Sequence, residues 1–293
     1  MVEQVISKPT LPAQQHADPA RDGALTDLEL NLLLEAVVRF SGYDFRDYSQ
    51  STLKRRISDR LRGEDVQTIS GLQERILHDP KAFARFMFAM SGGSGHLFRD
   101  PAFFATFRAR VVPLLRTYSF SRIWLPNCGR GEDTYSLAVV LHEEGLLART
   151  MIYATDASEL AIAEAKTGKF EIESIDEIKA GHRATGATLA LEESGELTDR
   201  TIAFRDDFRK NIIFAQHSLV TDGSLNEFHV IVARGVLTQF NKALQFRVHN
   251  LFLSSLVRLG FLCLGPSESL KQTPHERVFR ELAESEPIYR RMR

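Results

Sequence analysis

The sequence has little cysteine, and it has no long uninterrupted apolar run. Its two cysteines, Cys128 and Cys263, cannot build a disulfide framework, and their scarcity is typical of a protein from a reducing compartment. No stretch approaches the roughly 18 consecutive apolar residues that a membrane helix needs. The N-terminus also lacks the apolar core of a secretory signal. We therefore expect a cytoplasmic protein with no segment inserted in a membrane.

The chain also lacks an excess of charge of either sign. Its 37 Lys and Arg residues against 38 Asp and Glu give a net charge of -1. A chain of this balance has no global field that attracts nucleic acid or an anionic membrane, so no nucleic-acid partner is expected. The histidines have no cysteine or carboxylate partners at ligand spacing, so no metal site is expected either. A content of 43% hydrophobic and 26% charged residues is typical of a globular protein.

The order of patterns predicts two domains. Residues 1–24 hold three of the ten prolines and little apolar periodicity, and we interpret them as a flexible tail. Residues 25–90 show helical periodicity throughout, opened by Thr26 as a helix N-cap. The glycine-dense residues 91–96 are typical of a linker. Residues 97–293 then form a separate domain of another class.

This second domain alternates short apolar runs with helical periods, which predicts an α/β fold with a mainly parallel sheet. The predicted strands are 122–126, 151–155, 228–233 and 261–265, and the predicted helices are 132–144, 158–167 and 241–258. Residues 170–212 interrupt the alternation with polar segments and short possible strands at 201–204 and 211–214. We interpret part of this stretch as a small inserted β-subdomain.

A glycine turn follows the first predicted strand. Gly129 and Gly131 lie between that strand and a helix, where glycine lets a ligand approach the backbone closely. Asp156 ends the next strand, 25 residues beyond Gly131, where an acid commonly accepts hydrogen bonds from ribose hydroxyls. The combination favours a nucleoside-containing ligand, and the alternative is a tight turn followed by a helix cap.

The residues after the turn narrow the nature of that ligand. A dinucleotide fingerprint would place a third glycine where this chain has Thr134. Glu132 and Asp133 put negative charge at the helix N-terminus, which is unfavourable to a pyrophosphate. A ligand without phosphate, such as S-adenosylmethionine, fits better than a nicotinamide dinucleotide.

The stretch WLPNCGRGEDTYSLA resembles the cofactor loop of the CheR-type methyltransferases. Members of this family methylate glutamates of chemotaxis receptors. The usual pattern of the family's cofactor loop is W-x-x-x-C-x-x-G-E-E-P-Y-S-x-A. The resemblance extends from about residue 28 to the C-terminus through several ordered motifs. These are YDFRDYSQSTLKRRISDRL, LFRDPAFFATFRARVVPLL, IYATDASELAIAEAKTGKF, FHVIVARGVLTQFNKALQFRV and GFLCLGPSESL. The resemblance implies an N-terminal helical domain and a Rossmann-like class I S-adenosylmethionine methyltransferase domain with a small antiparallel β insert.

The resemblance also implies roles for individual residues. Arg99 would face the reacting end of the cofactor, Glu132 its amino-acid part and Asp156 its ribose. Ser218 and Leu219 would lie beside the adenine, and Arg234 and Gly235 at the end of a central strand. A basic helix would lie against receptor helices that carry the target glutamates, and the β insert would grip a receptor segment. The cations of this basic helix are Lys54, Arg55, Arg56, Arg60 and Arg62. A monomer is expected.

The sequence departs from the family pattern around the site. Gly93 and Gly95 match the family's polar Asn and Thr, and His96 and Leu97 occupy the next two positions. Gly235 replaces an Asn, Ser218 replaces another, and Gln239 replaces a Tyr. Two hypotheses follow. The chain is a protein-glutamate O-methyltransferase, or it is a degenerate relative that binds a regulatory partner with weak or no cofactor binding.

Each candidate residue also has a purely structural interpretation. Arg99 could be a solvated residue at a helix start, and Arg234 could pair with a neighbouring acid. Glu132 could be an ordinary first-turn acid and Asp156 the cap of the following helix. The basic helix could be a solvated face. The residues alone leave these alternatives open.

Overall fold

The computed structural model describes residues 19–92 and 95–293. The N-terminal part consists of helices, with polar N-caps at Ser49, Thr68 and Asp79. They are α1 (Pro19–Ser41), α2 (Gln50–Gly63), α3 (Ile69–His78) and α4 (Pro80–Ser91). Asp79 ends α3 and caps α4 by accepting a hydrogen bond from the Lys81 N–H, and Pro80 occupies the first turn, where its missing N–H is harmless.

The remainder is a seven-stranded sheet with helices on both faces and a small separate sheet. The helices are α5 (Pro101–Arg110), α6 (Val112–Leu115), α7 (Glu132–Glu143), α8 (Glu159–Thr167), α9 (Ile175–Ala184), α10 (Asp206–Arg209) and α11 (Lys242–Ser255). The strands are β1 (Ser121–Pro126), β2 (Thr150–Asp156), β3 (Lys169–Glu171), β4 (Gly195–Leu197), β5 (Thr201–Phe204), β6 (Ile212–Gln216), β7 (Phe228–Ala233), β8 (Leu256–Leu264), β9 (Phe279–Glu281) and β10 (Ile288–Arg291).

The large sheet has the order β6-β2-β1-β7-β8-β10-β9, and its first five strands are parallel. β10 and β9 close it as antiparallel strands. The small sheet β3-β5-β4 is antiparallel. The predicted α/β fold with a helical N-terminal domain and a small antiparallel β insert is confirmed.

The two faces of the large sheet belong to two apolar clusters. In β1, Ile123 and Leu125 point into the cluster that contains α5, α6 and α7, while Trp124 points into the other. That second cluster includes α11 together with buried residues of the helical domain, such as Leu53 and Phe86. The helical domain therefore covers one face of the sheet and shares its core, as a parallel sheet buried on both sides requires.

Three boundaries differ from the sequence-based expectation. α1 begins at Pro19, so Thr26 lies inside the helix rather than at its cap; of the predicted tail, residues 1–18 lie outside the described residues and 19–24 are helical. Residues 256–258 belong to β8 rather than to the preceding helix. The strand predicted within the insert at 211–214 is β6, which pairs with β2 at the edge of the large sheet. Periodicity alone does not indicate which sheet a short strand joins.

None of the helices in the described parts of the chain is long and apolar enough to cross a membrane.

Candidate cofactor site

The glycine turn between β1 and α7 is held by a buried carboxylate. The Gly129 N–H donates to Asp156 Oδ2 at 2.9 Å, and the Cys128 N–H donates to the Thr155 carbonyl at 2.9 Å. Gly131 has φ +95°, and a Cβ there would lie 3.2 Å from the Cβ of Ala165. Both the backbone conformation and the close approach of α8 therefore require glycine at position 131.

Asp156 is fully buried at the end of β2. Its Oδ1 accepts the Ser158 N–H at 2.9 Å, so the carboxylate joins the glycine turn to the start of α8. Burial raises the pKa of Asp156, and the two N–H donors and the Ser91 hydroxyl oppose that shift. A carboxylate oxygen can accept more than one hydrogen bond, so this role leaves capacity for ligand hydroxyls.

Two arginines meet at the same edge of the sheet and share one acid. Arg99 forms a fork with Asp133, with Nε 3.1 Å from Oδ1 and Nη2 2.7 Å from Oδ2. Arg234, at the end of β7, places Nη1 3.6 Å from Asp133 Oδ2 and pairs with Asp100 at 2.5 Å. Its guanidinium lies 4.3 Å from the ring centroid of Phe103. The arrangement fixes both cations in position.

The two arginines differ in exposure. The Arg99 side chain is 38% exposed and that of Arg234 only 2%. Among the described residues, Arg234 Nε and Nη1 have no hydrogen-bond partner. Arg99 is thus the cation that a molecule in the cavity can reach, and Arg234 contacts the same acid from a buried position.

The segment that carries Arg99 is strained. Phe98 and Asp100, on either side of it, have φ of +55° and +52°. A left-handed conformation at a bulky residue costs roughly 1–3 kcal/mol and persists only where surrounding contacts impose it. Here Phe98 is buried, and its N–H donates to Ser136 Oγ at 2.8 Å. The fold therefore holds Arg99 in a conformation that the free chain would avoid.

Glu132 opens α7 beside these arginines. Its side chain is buried, and burial raises the pKa of its carboxyl. A Cβ at Gly95 would lie 3.5 Å from the Cβ of Glu132, an ordinary van der Waals distance. Position 95 therefore has room for a side chain, even though this chain has none there.

The turn after β7 is organised by Glu268, a residue that the sequence did not single out. Its carboxylate accepts N–H donors from Gly235 at 3.0 Å, Leu237 at 2.6 Å, Thr238 at 3.2 Å and Gly265 at 2.7 Å. One buried acid thus joins the end of β8 to the turn that carries Arg234. The signal was present in the segment GFLCLGPSESL, but the pattern does not reveal which backbone groups the acid meets.

These residues surround two adjoining cavities. The first, of about 60 Å³, lies at the carboxyl ends of β1 and β7. It is lined by Gly92, Gly95, Arg99, Leu125, Pro126, Asn127, Cys128, Glu132, Asp133, Val232, Arg234, Gly235 and Gln239. The second, of about 20 Å³, is lined by Tyr43, Asp44, Phe45, Tyr48, Asn127, Ala157, His217, Ser218, Leu219, Val220 and Phe240. Asn127 borders both cavities.

The cavities bring together most of the predicted site residues. Arg99, Glu132, Arg234 and Gly235 border the first cavity, and Ser218 and Leu219 border the second. Among the residues that the structure describes, Gly129, Gly131 and Asp156 line neither and instead form the turn behind them. Gly93 lies outside the described residues.

The helical domain contributes to the second cavity through Tyr43 and Tyr48, which the sequence did not indicate. Their contribution depends on how the domains pack, and no local motif encodes that packing.

The basic helix α2 is only partly a surface. Lys54, Arg55 and Arg62 are exposed and Arg60 is half-buried. Arg56, expected among the partner-binding cations, is 6% exposed, and its guanidinium donates to Gln239 in the α/β domain. The expectation counted all five cations as partner-binding, but helical geometry turns Arg56 to the side of Leu53 and Ile57, which are buried.

Comparison with known proteins decides the family. The model described as the SAM-binding domain of CheR methyltransferase matches residues 94–285, and the all-alpha domain of the same family matches residues 28–91. The chain belongs to the CheR methyltransferase family. Its cofactor is S-adenosylmethionine.

Two sequence relatives support the same assignment. The chain is 40% identical to the putative methyltransferase Cher3 of Pseudomonas putida over 266 residues, covering 91% of this chain and 97% of that protein. It is 27% identical to a chemotaxis protein methyltransferase of Listeria monocytogenes over 250 residues, covering 84% and 92%. A solved SAM-dependent methyltransferase from Geobacter sulfurreducens, in complex with S-adenosylhomocysteine, is 15% identical, with a TM-score of 0.34 and coverage of 62% and 54%.

The chemistry of the cavity lining fits this cofactor. S-adenosylmethionine carries a positive sulfonium and a positive ammonium group. The carboxylate of Glu132 lies beside the first cavity, whereas that of Asp133 is already paired with Arg99 and Arg234. Ligand pockets usually measure about 300–1,000 Å³, more than either cavity here. Their volumes of about 60 and 20 Å³ stay below this range even when taken together, so binding of the whole cofactor would require both cavities to widen.

Proposed function

We propose that this protein is a protein-glutamate O-methyltransferase that acts on a receptor of the methyl-accepting chemotaxis type. The observation that carries the proposal is the arginine pair, Arg99 and Arg234, held by Asp133 beside the cofactor cavity. An arginine fork suits the recognition of a carboxylate in a fixed orientation. Arg99 is partly exposed and would orient the target glutamate through the N–H donors that its fork with Asp133 leaves over.

The reaction needs little from the protein besides position. When bound, the cofactor supplies an activated methyl group on its sulfonium. A glutamate carboxylate has an ordinary pKa of about 4.3 and is ionised near neutrality, so no general base is required. The protein must hold the carboxylate oxygen and the methyl carbon roughly 3–3.5 Å apart and in line. We assign that task to Arg99, supported by Arg234.

The remaining residues would hold the cofactor. Glu132 would face its amino-acid part, Ser218 and Leu219 would border its adenine, and Asp156 would fix the glycine turn and meet the ribose. Glu132 borders the first cavity and Ser218 and Leu219 border the second, whereas Asp156 lies behind them in the glycine turn.

The receptor would bind across the exposed part of α2. Lys54, Arg55 and Arg62 offer positive charge to an acidic helical surface, and the β insert would provide a second contact. We expect the protein to work as a monomer in the cytoplasm.

Methyl transfer from labelled S-adenosylmethionine to cytoplasmic receptor fragments tests this proposal. We expect base-labile label on glutamate, which releases methanol at high pH, and a loss of at least about 100-fold with Arg99→Met. The exposed Arg110→Met serves as the matched control. Label that resists base, or transfer unaffected by Arg99→Met, would contradict the proposed role.

The alternative is a degenerate module that regulates a partner. Gly95, Gly235 and Gln239 favour it, because three polar or aromatic side chains of the family pattern are missing at the first cavity. That hypothesis predicts weak or no cofactor binding and a partner retained by α2. Absence of methyl transfer together with absence of cofactor binding would support it.

A further inference from the structure

Gln239 lines the cofactor cavity, yet its carboxamide is directed towards the helical domain. Its Oε1 accepts from Arg56 Nη2 at 2.8 Å, and its Nε2 donates to the Gly235 carbonyl at 2.7 Å. Arg56 Nη1 also donates to the Met90 carbonyl at the end of α4. A continuous hydrogen-bonded path therefore runs from α2 and α4 to the turn after β7.

Backbone contacts reinforce this path. The Ser49 N–H donates to the Gln239 carbonyl and the Asn241 N–H to the Asp47 carbonyl, both at 2.8 Å. Between them, Tyr48 forms an antiparallel bridge with Phe240. The segment that begins α2 and the segment that follows the β7 turn thus form one hydrogen-bonded unit.

Arg56 is an unusual residue for this position. It is a buried cation whose nearest hydrogen-bond partners are a neutral amide and a carbonyl, and burial lowers the pKa of its guanidinium. Removing the partners of a buried charged group is costly because its lost hydration is not replaced. Loss of the contact with Gln239 would therefore leave an N–H donor of this buried cation without a partner.

We infer that Arg56 and Gln239 are a positioning pair through which the helical domain holds the turn after β7 against the cofactor cavity. Gly92 belongs to the same arrangement, since a Cβ there would collide with Arg56 Nη2 and lie 3.1 Å from Gln239 Oε1. Because Gln239 also borders the cavity, displacement of α2 moves the cavity wall. The expected effect of the pair on cofactor binding rests on the proposed function, whereas its positioning of the turn after β7 does not.

Two readouts on the full chain test the pair. The first is hydrogen exchange of peptides spanning 234–241 in the ligand-free protein, and the second is the Kd for S-adenosylhomocysteine by calorimetry. The variants are Arg56→Met, Gln239→Met and the double variant. Arg39→Met, an exposed arginine of the same domain, is the control.

We expect each single variant to speed exchange at 234–241 about tenfold and to weaken S-adenosylhomocysteine binding about three- to tenfold. The double variant should be no worse than the weaker-binding single variant, because residues in contact are not additive. Arg56→Lys keeps a cation and its donors and should recover part of both effects. Arg39→Met should match the wild type.

Unchanged exchange at 234–241 in Arg56→Met, or an additive double variant, would overturn the inference. So would faster exchange with an unchanged Kd, since the pair would then not shape the cavity. If the wild type binds no S-adenosylhomocysteine, the proposed function fails, and the exchange data still decide whether the pair positions the turn. If Arg56→Met does not fold, Gln239→Met and Arg56→Lys decide by the same criteria.

Discussion

The two halves of the cofactor site are built in different ways. On the Asp156 side, a carboxylate at the end of one strand binds the turn after its neighbour, and the residues follow the family pattern. On the Gln239 side, the family's side chains are replaced, and distant groups hold the turn: Glu268 from the end of β8 and Arg56 from the helical domain. The first half is fixed by adjacent strands, and the second depends on tertiary contacts.

The difference indicates where this chain can tolerate change. Loss of a polar side chain at Gly235 leaves open space, with no heavy atom within 4 Å of a Cβ placed there, whereas the backbone of the same turn is saturated with hydrogen bonds. On the Gln239 side, the backbone of the turn is thus kept, although fewer side chains there can contact the ligand directly.

Asp156→Ala is expected to give the largest effect, because it removes the acceptor of two backbone N–H groups in a buried site. Hydrogen bonds to a charged group contribute about 1.5–3 kcal/mol each, so we expect a loss of about 3–5 kcal/mol in the free energy of unfolding. Urea denaturation and calorimetry with S-adenosylhomocysteine measure the two consequences. Asp156→Asn keeps one carbonyl acceptor and should lie between Ala and the wild type; equal stability of all three proteins would contradict the role assigned to Asp156.

Glu268→Gln tests the second half in the same way. The substitution replaces one of the two oxygens that share four N–H donors by an amide that cannot accept, so we expect a loss of about 2–3 kcal/mol. Urea denaturation measures it, with Glu276→Gln as the exposed control. If methyl transfer falls no further than in the control, Glu268 does not position Arg234.

The family's side chains can be returned to the second half. In the double variant Gly95→Thr and Gly235→Asn, the added Cβ atoms meet no steric conflict, and Asn tolerates the φ of +71° at position 235. We expect S-adenosylhomocysteine to bind about three- to tenfold more tightly in the double variant, since each regained hydrogen bond contributes about 0.5–1.5 kcal/mol. Gly223→Asn, in an open loop, is the control. Weaker binding would show that the cavity has adapted to the glycines.

Glu132→Gln is expected to have the smallest effect. Because burial raises the pKa of this carboxyl in the folded state, its ionisation disfavours folding as the pH rises above the ordinary range for glutamate. The neutral variant should therefore be more stable than the wild type at pH 7, by up to about 1 kcal/mol, and equal to it at low pH where both are uncharged. Denaturation at the two pH values measures this. A difference that does not change with pH would contradict the electrostatic cause.

The sequence predicted the first half of the site better than the second. Gly129, Gly131 and Asp156 lie next to recognisable strands, and a parallel sheet brings the carboxyl ends of neighbouring strands to one edge. The Arg56–Gln239 contact joins residues 183 positions apart, and the four donors of Glu268 come from two separate segments. Periodicity placed α2 correctly, but counting all five of its cations as partner-binding ignored the direction in which Arg56 points. The start of α1 at Pro19 was not predicted, because the prediction relied on a capping motif at Thr26 and not on the helix-compatible residues before it.

Calorimetric titration of the wild-type protein with S-adenosylhomocysteine asks whether the cofactor cavity survives the replacement of its family side chains, on which the proposed function depends. Micromolar binding that Asp156→Ala abolishes and Gly223→Asn leaves intact is the predicted result. No heat of binding up to millimolar ligand, from a protein that unfolds cooperatively, would contradict it.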